Sequence, residues 1–302
     1  MNKIKILIIG YGSIGKKHER ILTSINKNNQ IFILTSQNIK KKNIIKDISE
    51  IKKINPDYIV ICSQTSDHYK QLKYIEENLK KKKILVEKPL FHKNLNLLIK
   101  NNKVFVAYNF RFNPIINYIK NLKKQKIFSL QVVCGSYLPY WRKNIDYKKS
   151  YSSSKKRGGG VLLDLSHELD YIQFLFGKIT KINYAGLSKI SNLKIKSEDN
   201  LYLVAKIKKI NLVVSLNYYF RNPTRIINLD GDKHSVSADL NNKSVIFNKS
   251  KKPLVKKFFF NHDLAYILQH KAILNNDFRK LCDYNHGLEI MRLISRIKKF
   301  KK

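Results

Sequence analysis

In residues 158–171, Gly-Gly-Gly-Val-Leu-Leu-Asp-Leu-Ser-His-Glu-Leu-Asp-Tyr, three glycines run directly into a helical pattern. At roughly 100° per residue, Leu162, Leu165, Leu169 and Ile172 share one face. Asp164, His167, Glu168 and Tyr171 fall near the opposite one. The apolar stripe would bury the helix, while the other face offers a carboxylate, an imidazole and a phenol to one place. That is how a proton-transfer site is fixed on a rigid element. The same pattern also suits an amphipathic helix whose polar face is only solvated.

A second chemical signature opens the chain. Residues 3–9 alternate lysine with aliphatic residues and then become wholly aliphatic, as a central parallel strand does. They run into Gly10-Tyr11-Gly12-Ser13-Ile14-Gly15, and a helical pattern over 16–25 follows. Strand, G-x-G-x-x-G and helix in that order form the dinucleotide-binding fingerprint. Gly10 makes the tight turn, Gly12 lets the backbone approach a pyrophosphate, and Gly15 lets helix and strand pack closely. The helix N-terminus then faces the phosphates with unpaired N–H groups. The expected cofactor is NAD(P). NAD-binding units often end the second strand, here 30–34, with an Asp or Glu on the ribose 2′-OH. This chain has Thr35, Ser36, Gln37 and Asn38 instead, with Lys40, Lys41 and Lys42 behind. With no carboxylate to repel a 2′-phosphate, the reading leans towards NADP over NAD. The lysines equally fit the lysine excess of the whole chain.

The elements that must position these residues follow in order. A strand over 58–61 ends at Cys62-Ser63-Gln64-Thr65, and small polar residues at such an edge (Cys62, Ser63, Thr65) line the cofactor crevice. His68 fits best as a member of the first helical turn beyond. Strands over 83–86 and 104–107 end at Glu87-Lys88-Pro89 and at Tyr108-Asn109-Phe110-Arg111-Phe112. Then the pattern changes. A helix over 114–124 and a strand over 127–136 precede a polar stretch, 137–157, that reads as a long irregular loop. After the glycine-rich helix come strand-like runs at 179–187, 201–207, 212–220, 225–229 and 244–247, joined by short turns as in an antiparallel sheet. Helices over 263–274 and 285–297 close the chain.

At 302 residues, 43% of them hydrophobic, the chain has room for two cores. No apolar run approaches the ~20 residues of a membrane span. Residues 6–9 are a strand's length rather than a signal peptide's, so a cytoplasmic protein is expected. Cys62, Cys134 and Cys282 are far apart and lack metal spacing, which suits free thiols and no zinc site. The net charge of +39 would ordinarily raise nucleic acid or an anionic membrane as partner. Here lysines are spread along the chain with many Asn and Ile, in short runs at 40–42, 80–83 and 298–302, and no nucleic-acid motif accompanies them. A compositional drift towards Lys, Asn and Ile accounts for the charge. Specific nucleic-acid binding is not expected, although weak attraction to polyanions at low salt is.

Taken together, the chain resembles the Gfo/Idh/MocA family of sugar oxidoreductases, which includes glucose–fructose oxidoreductase and inositol dehydrogenase. The resemblance covers essentially the whole chain. It rests on residues 10–15, Glu87-Lys88-Pro89, residues 108–112 and residues 158–170, in the right order and spacing. It implies an α/β chain with an N-terminal Rossmann domain, a doubly wound parallel sheet over 1–113. Over 114–302 it implies a C-terminal α+β domain with an open, mainly antiparallel sheet that commonly packs against another subunit. The implied activity is hydride transfer between a sugar carbon and a nicotinamide cofactor.

By position, Lys88 matches the family lysine that contacts substrate and nicotinamide. Glu87 would border the cofactor, and the Lys88–Pro89 bond is a candidate cis peptide. His167 and Asp164 match the histidine and aspartate of the glycine-rich helix. Many members have three residues between that pair, whereas this chain has only Leu165 and Ser166. The Ser-His-Glu-Leu-Asp and Tyr-Trp-Arg forms are similar to members from bacterial surface-glycan pathways, implying a sugar or nucleotide-sugar substrate. Oxidation removes a hydride and a proton together, because a free alkoxide is too basic. His167, with an unperturbed pKa of about 6.5, is the expected general base, and Lys88 would stabilise charge on the same oxygen. Lys88 as the base is the alternative. Asn109, Arg111, Trp141, Arg142 and Tyr171 are candidates for holding substrate, through bidentate guanidinium contacts and stacking. Arg111 could equally tie a loop, and Trp141 could cover the core edge. A non-catalytic sugar- or nucleotide-binding protein on the same fold is the competing reading, and the presence of both Lys88 and His167 argues against it.

Overall fold

The aliphatic run Lys5–Ile9 forms strand β1, and its last four residues are all buried, as a strand covered on both faces of a parallel sheet must be. The computed structural model describes residues 3–122, 125–142, 145–248 and 252–300. They form two units, the first made of Met1–Phe112 and His262–Met291, the second of Asn113–Asn261 and Arg292–Lys302.

In the first unit β1 is joined by β2 (Gln30–Leu34), β3 (Ile44–Ile45), β4 (Tyr58–Ile61), β5 (Lys83–Val86) and β6 (Lys103–Val106). The sheet order is β3-β2-β1-β4-β5-β6, all parallel, the doubly wound order of a dinucleotide-binding sheet. Helix α1 (Ser13–Ile25) buries Gly15, His18, Ile21 and Leu22, three and four residues apart as one helix face requires. Helices α2 (Ile51–Ile54) and α3 (His68–Asn78) follow β3 and β4.

The unit's core departs from the expected boundary. Residues 262–291 were expected in the C-terminal domain, but they complete the first core. Ile273 and Leu281 join Ile6, Ile8, Tyr58, Val60, Leu85 and Phe105 in one buried cluster. The Phe278 ring lies 5.0 Å from that of Phe105, and Cys282–Asp283 adds a short antiparallel strand to the free edge of β6. Periodicity shows that the helix Leu264–Leu274 must be buried. It carries no information about which core buries it.

The second unit holds α4 (Pro114–Asn121) and an eight-stranded sheet. Its strands are β7 (Ile127–Gly135), β8 (Lys181–Ser188), β9 (Asn200–Ile207), β10 (Ile210–Asn217), β11 (Thr224–Gly231), β12 (Ser235–Asp239), β13 (Ser244–Asn248) and β14 (Leu254–Lys257), in the order β14-β13-β12-β11-β7-β10-β9-β8. Only β7 and β10 pair in parallel, so the sheet is mainly antiparallel. Leu201, Leu203, Ala205 and Ile207 of β9 are buried and alternate with Tyr202, Val204 and Lys206, the period-two pattern of a sheet with one core face. The short strands β3, β12 and β14 carry too little apolar pattern to be read in advance. The expected helix over 114–124 ends at Asn121, and residues 123–124 lie outside the described residues, as do 301–302 of the last lysine run. Residues 137–157, expected as an irregular loop, contain four single 3-10 turns, with residues 143–144 again outside the description. Among the described residues no helix is long and apolar enough to cross a membrane.

A fragment of residues 1–113 lacks Ile273, Phe278, Leu281 and the strand on β6. It is expected to show no cooperative thermal transition by circular dichroism, whereas the full chain should.

Candidate active site

The three glycines of the first loop have different surroundings. Gly10 adopts φ +93, and a Cβ there would lie 2.6 Å from the Ser63 backbone. A Cβ on Gly15 would lie 2.2 Å from the Gly10 carbonyl oxygen, so α1 is pressed against the end of β1. Around Gly12 there is open space, with nothing within 4 Å of an added Cβ. Gly12 is also the N-cap of α1 and supplies no side-chain cap. An uncapped helix start beside an open glycine is a cradle for an anion, and a dinucleotide's pyrophosphate fits it. Exposed Ser13 and half-buried Ile14 open the helix. Tyr11 is buried, its hydroxyl bonded to Glu19.

The end of β2 is less suited to a 2′-phosphate than expected. Thr35 is buried, and its hydroxyl accepts the Gln37 N–H at 3.1 Å. Lys41 donates to both Glu19 oxygens at 2.8 Å and stands over the Tyr11 ring, so its charge is already matched. Ser36, Lys40 and Lys42 are exposed.

Along the C-terminal edge, several expected cofactor neighbours hold the protein together. Cys62 donates its thiol to the Gly10 carbonyl at 3.1 Å, and burial pushes its pKa up. Ser63 donates to Gln71 Oε1 at 2.6 Å, and Thr65 is buried. His68 begins α3, buried between the carbonyls of Ser63, Pro89 and Leu90. Burial lowers its pKa, which suits a neutral tie between two loops. The Lys88–Pro89 bond is cis. Glu87 and Lys88 are half-buried. Asn109 and Arg111 lie in the 3-10 segment Asn109–Phe112. Arg111 is buried and donates to the Leu281 carbonyl at 3.0 Å, the loop-tying role. The Asn109 amide oxygen is buried and accepts no hydrogen bond.

The glycine-rich helix differs from the expected continuous one. It forms as α5 (Val161–Asp164) and α6 (Ser166–Phe176), broken at Leu165. Leu162, Leu165, Leu169 and Ile172 are buried as expected, but so are Asp164, Glu168 and Tyr171. Only His167 of the expected polar face retains intermediate exposure. Sequence periodicity assigned these polar groups to an open face. The structure instead buries them, Asp164 and Glu168 against specific partners. Asp164 Oδ2 accepts from the Tyr218 hydroxyl at 2.6 Å. The Asp164 charge, followed by burial, pushes the Tyr151 hydroxyl up. Glu168 Oε1, fully buried, lies 2.8 Å from Nε of the partly exposed Arg225, which also contacts Cys134 Sγ at 3.3 Å. Burial raises the Cys134 thiol to about 12. Tyr171, expected to touch substrate, has no exposed surface, and burial and the Glu168 charge raise its pKa. It is a core residue.

Trp141 donates to Ser136 Oγ at 2.7 Å and stands edge-on to Tyr218 at 5.1 Å. Arg142 lies over the Tyr151 ring at 5.2 Å. Trp141, Tyr218, Asp164, Tyr151 and Arg142 therefore form one cluster around the start of the helix. Glu198 locks that start. Its carbonyl accepts the Val161 N–H at 3.0 Å, and a Cβ on Gly160 would lie 2.5 Å from its carboxylate. Tyr151, Glu198, Tyr218 and Arg225 were absent from the sequence reading. Glu198, Tyr218 and Arg225 are far along the chain from the helix they support, Tyr151 precedes it by about ten residues within the polar stretch, and no local pattern marks any of them.

A doubly wound sheet with an open glycine cradle, and a second sheet carrying a buried glycine-rich helix, define a dinucleotide-binding oxidoreductase fold. Family models agree. Residues 4–106 match the NAD-binding Rossmann fold of the oxidoreductase family, and residues 120–299 match its C-terminal alpha/beta domain. The chain belongs to the Gfo/Idh/MocA oxidoreductase family. No curated protein matches it. Solved structures share its fold at low identity. The dehydrogenase MviM from Clostridium difficile is 17% identical with a TM-score of 0.74, covering 98% of this chain and 99% of its own. The WlbA dehydrogenase from Bordetella pertussis, in complex with NADH and UDP-GlcNAcA, is 16% identical with a TM-score of 0.75, covering 99% and 96%. A super-repressor mutant of Gal80p from Saccharomyces cerevisiae is 14% identical with a TM-score of 0.81, covering 99% and 95%.

Arg225→Ala leaves Glu168 buried without its cation, which should cost about 3–5 kcal/mol of stability. Urea unfolding of the variant and parent measures it. An equal midpoint would remove the pair from the account of how the helix is held.

Proposed function

We propose that this protein is an NAD(P)-dependent oxidoreductase of a sugar or nucleotide-sugar carbinol. The observation that carries the reading is the Gly12 cradle, open where its two neighbouring glycines are walled in. When bound, the nicotinamide accepts or returns a hydride. The α1 N-terminus and Gly12 hold the pyrophosphate. His167, the histidine of α6 with intermediate exposure, takes the hydroxyl proton. Lys88 stabilises charge on the same oxygen. Asp164 and Glu168, bonded to Tyr218 and paired with Arg225, keep the two helix segments in place. The WlbA complex, with its nucleotide sugar, supports that substrate class, as do the Tyr-Trp-Arg and Ser-His-Glu-Leu-Asp stretches. A role in surface-glycan synthesis follows from the same resemblance.

The choice between NAD and NADP is less one-sided than Thr35 and Ser36 alone suggest. Lys41 is matched by Glu19, leaving Lys40 and Lys42 for a 2′-phosphate. Both NAD and NADP should therefore bind, with affinities within about tenfold, a difference of about 1.4 kcal/mol.

Oligomerisation through the second sheet is part of the proposal. Across its outer face, Tyr184, Val204, Val213, Gln131, Asn228, Ser237 and Ile246 form one register row. The row contains no lysine or arginine in a chain that has 60 of them. An uncharged, partly apolar row flanked by Lys206 and Asp230 on the same face suits a second copy of the same chain. Sedimentation of the parent and of Val204→Lys tests it, and an unchanged monomer in both would remove it.

A second reading, a non-catalytic dinucleotide-binding protein, is prompted by the Gal80p neighbour. Turnover separates the two. Titration with NADH and NADPH should show saturable binding that Gly12→Asp abolishes. His167→Ala and Lys88→Ala should each lower kcat at least about a hundredfold, the scale of one positioned acid–base group, while cofactor affinity holds. Near-normal turnover in either variant would remove that residue's role. Binding without turnover on any sugar or nucleotide sugar would favour the second reading.

A further inference from the structure

Behind the glycine loop lies a chain of four polar side chains that the proposed chemistry leaves unused. Tyr58 Oη is 2.9 Å from His270 Nδ1, His270 Nε2 is 2.9 Å from His18 Nδ1, and His18 Nε2 is 3.0 Å from Glu87 Oε1. Tyr58, His18 and His270 have no exposed surface. The other Glu87 oxygen accepts the Lys88 N–H at 3.1 Å. The four come from β4, the helix Leu264–Leu274, α1 and the end of β5, all within the first unit.

Proton counting fixes the direction of this chain. Burial, then the Glu87 charge, push the Tyr58 phenol well above its usual value. Tyr58 therefore keeps its proton and donates it to His270 Nδ1. Burial drives His270 well below its usual value, so it is neutral, and with Nδ1 accepting from Tyr58 its one ring proton lies on Nε2. That N–H is donated to His18 Nδ1. A doubly protonated His18 would set two N–H groups against each other across 2.9 Å. With Nδ1 accepting from His270, the His18 proton lies on Nε2 and is donated to Glu87. Every bond points towards the carboxylate, and each polarises the next. An N–H arrives at each Glu87 oxygen, the arrangement that favours an acceptor-only, ionised group.

We infer that the Tyr58–His270–His18 relay holds Glu87 as a fixed carboxylate at the cofactor edge of the sheet, and that this charge favours the oxidised, cationic nicotinamide over the reduced, neutral one. The inference rests on the dinucleotide reading above. Glu87 stands where such a ring is expected, beyond the C-terminal ends of the strands. Its N–H donates to the Ile61 carbonyl at 2.8 Å, and the next residue, Cys62, donates to Gly10. Three titratable groups that feel the Glu87 charge are themselves uncharged, since burial raises Cys62 and Tyr266 and lowers His68. Lys88, next in sequence, is the cation beside it. The relay ends at Tyr58 inside the core, so it orients and polarises and is no exit for protons. Reduction removes one positive charge from the ring. A unit charge several ångströms away, at an effective dielectric constant between protein and water, is worth about tenfold in affinity.

The test measures both redox forms on the full chain. NAD+ is titrated by calorimetry and NADH by fluorescence, for the parent, Glu87→Gln, Tyr58→Phe and the double variant. Glu87→Gln should raise the ratio of the NAD+ to the NADH dissociation constant about tenfold. Tyr58→Phe should raise it less, in the same direction, and should add nothing in the Glu87→Gln background. Nitrogen-15 spectra of the rings should show His18 and His270 near neutral pH, each protonated on Nε2 alone. An unchanged ratio in Glu87→Gln overturns the charge selection, and an imidazolium or an Nδ1-protonated ring at His18 overturns the relay. Should Tyr58→Phe fail to fold, the isosteric Glu87→Gln and the ring spectra carry the test. A parent that binds neither dinucleotide sinks the proposed function and the charge selection together, while the ring spectra still decide the relay.

Discussion

In the first unit Gly15 is pressed against the carbonyl of Gly10, where a single added carbon would lie 2.2 Å from oxygen. That contact seats α1 directly on the end of β1. Once it is seated, the helix start has nowhere to point but the open space beside Gly12. One turn further on, His18 falls inward at the depth where Glu87 and His270 reach it. The anion cradle and the buried relay are two consequences of one helix lying close to one strand. In the second unit, Gly160 against the Glu198 carboxylate and Glu168 beside Arg225 do comparable work. They fix where α5 and α6 begin and how they lie on the sheet.

Much of this was legible in the sequence where the signal was local. The fingerprint 10–15 specifies strand, turn and helix through glycine sterics, and the close surroundings of Gly10 and Gly15 show that need. The strand ends at Cys62 and Glu87 were readable because parallel strands are short apolar runs with polar punctuation. Periodicity was less informative for residues 158–171. It separates apolar from polar positions, and the polar ones were taken to face outward. Asp164, Glu168 and Tyr171 are nevertheless buried, because Tyr218, Arg225 and the surrounding core accept them. Those partners lie tens of residues away, and no pattern in one segment announces a partner in another. The allocation of 262–291 failed for the same reason.

The surplus of positive charge has a different standing from the site residues. Lys41 shows how a lysine that looks like a phosphate ligand in sequence is matched by a carboxylate, Glu19, one helix turn past the glycine loop. In a chain this rich in lysine, a cation gains meaning from what it faces. The most informative stretch of charge is the one missing from the single row that runs from Tyr184 to Ile246 across the second sheet.

The first unit is discontinuous, closing only when residues 262–291 reach it. During synthesis the ribosome delivers the nucleotide-binding strands early, then the entire second sheet, and only afterwards the helix that seals Tyr58 and His18. Until that last helix arrives, the N-terminal half must wait with an apolar face and two imidazole-bonding groups exposed to the cell. The first unit of the nascent chain therefore stays incomplete until residues 262–291 have left the exit tunnel.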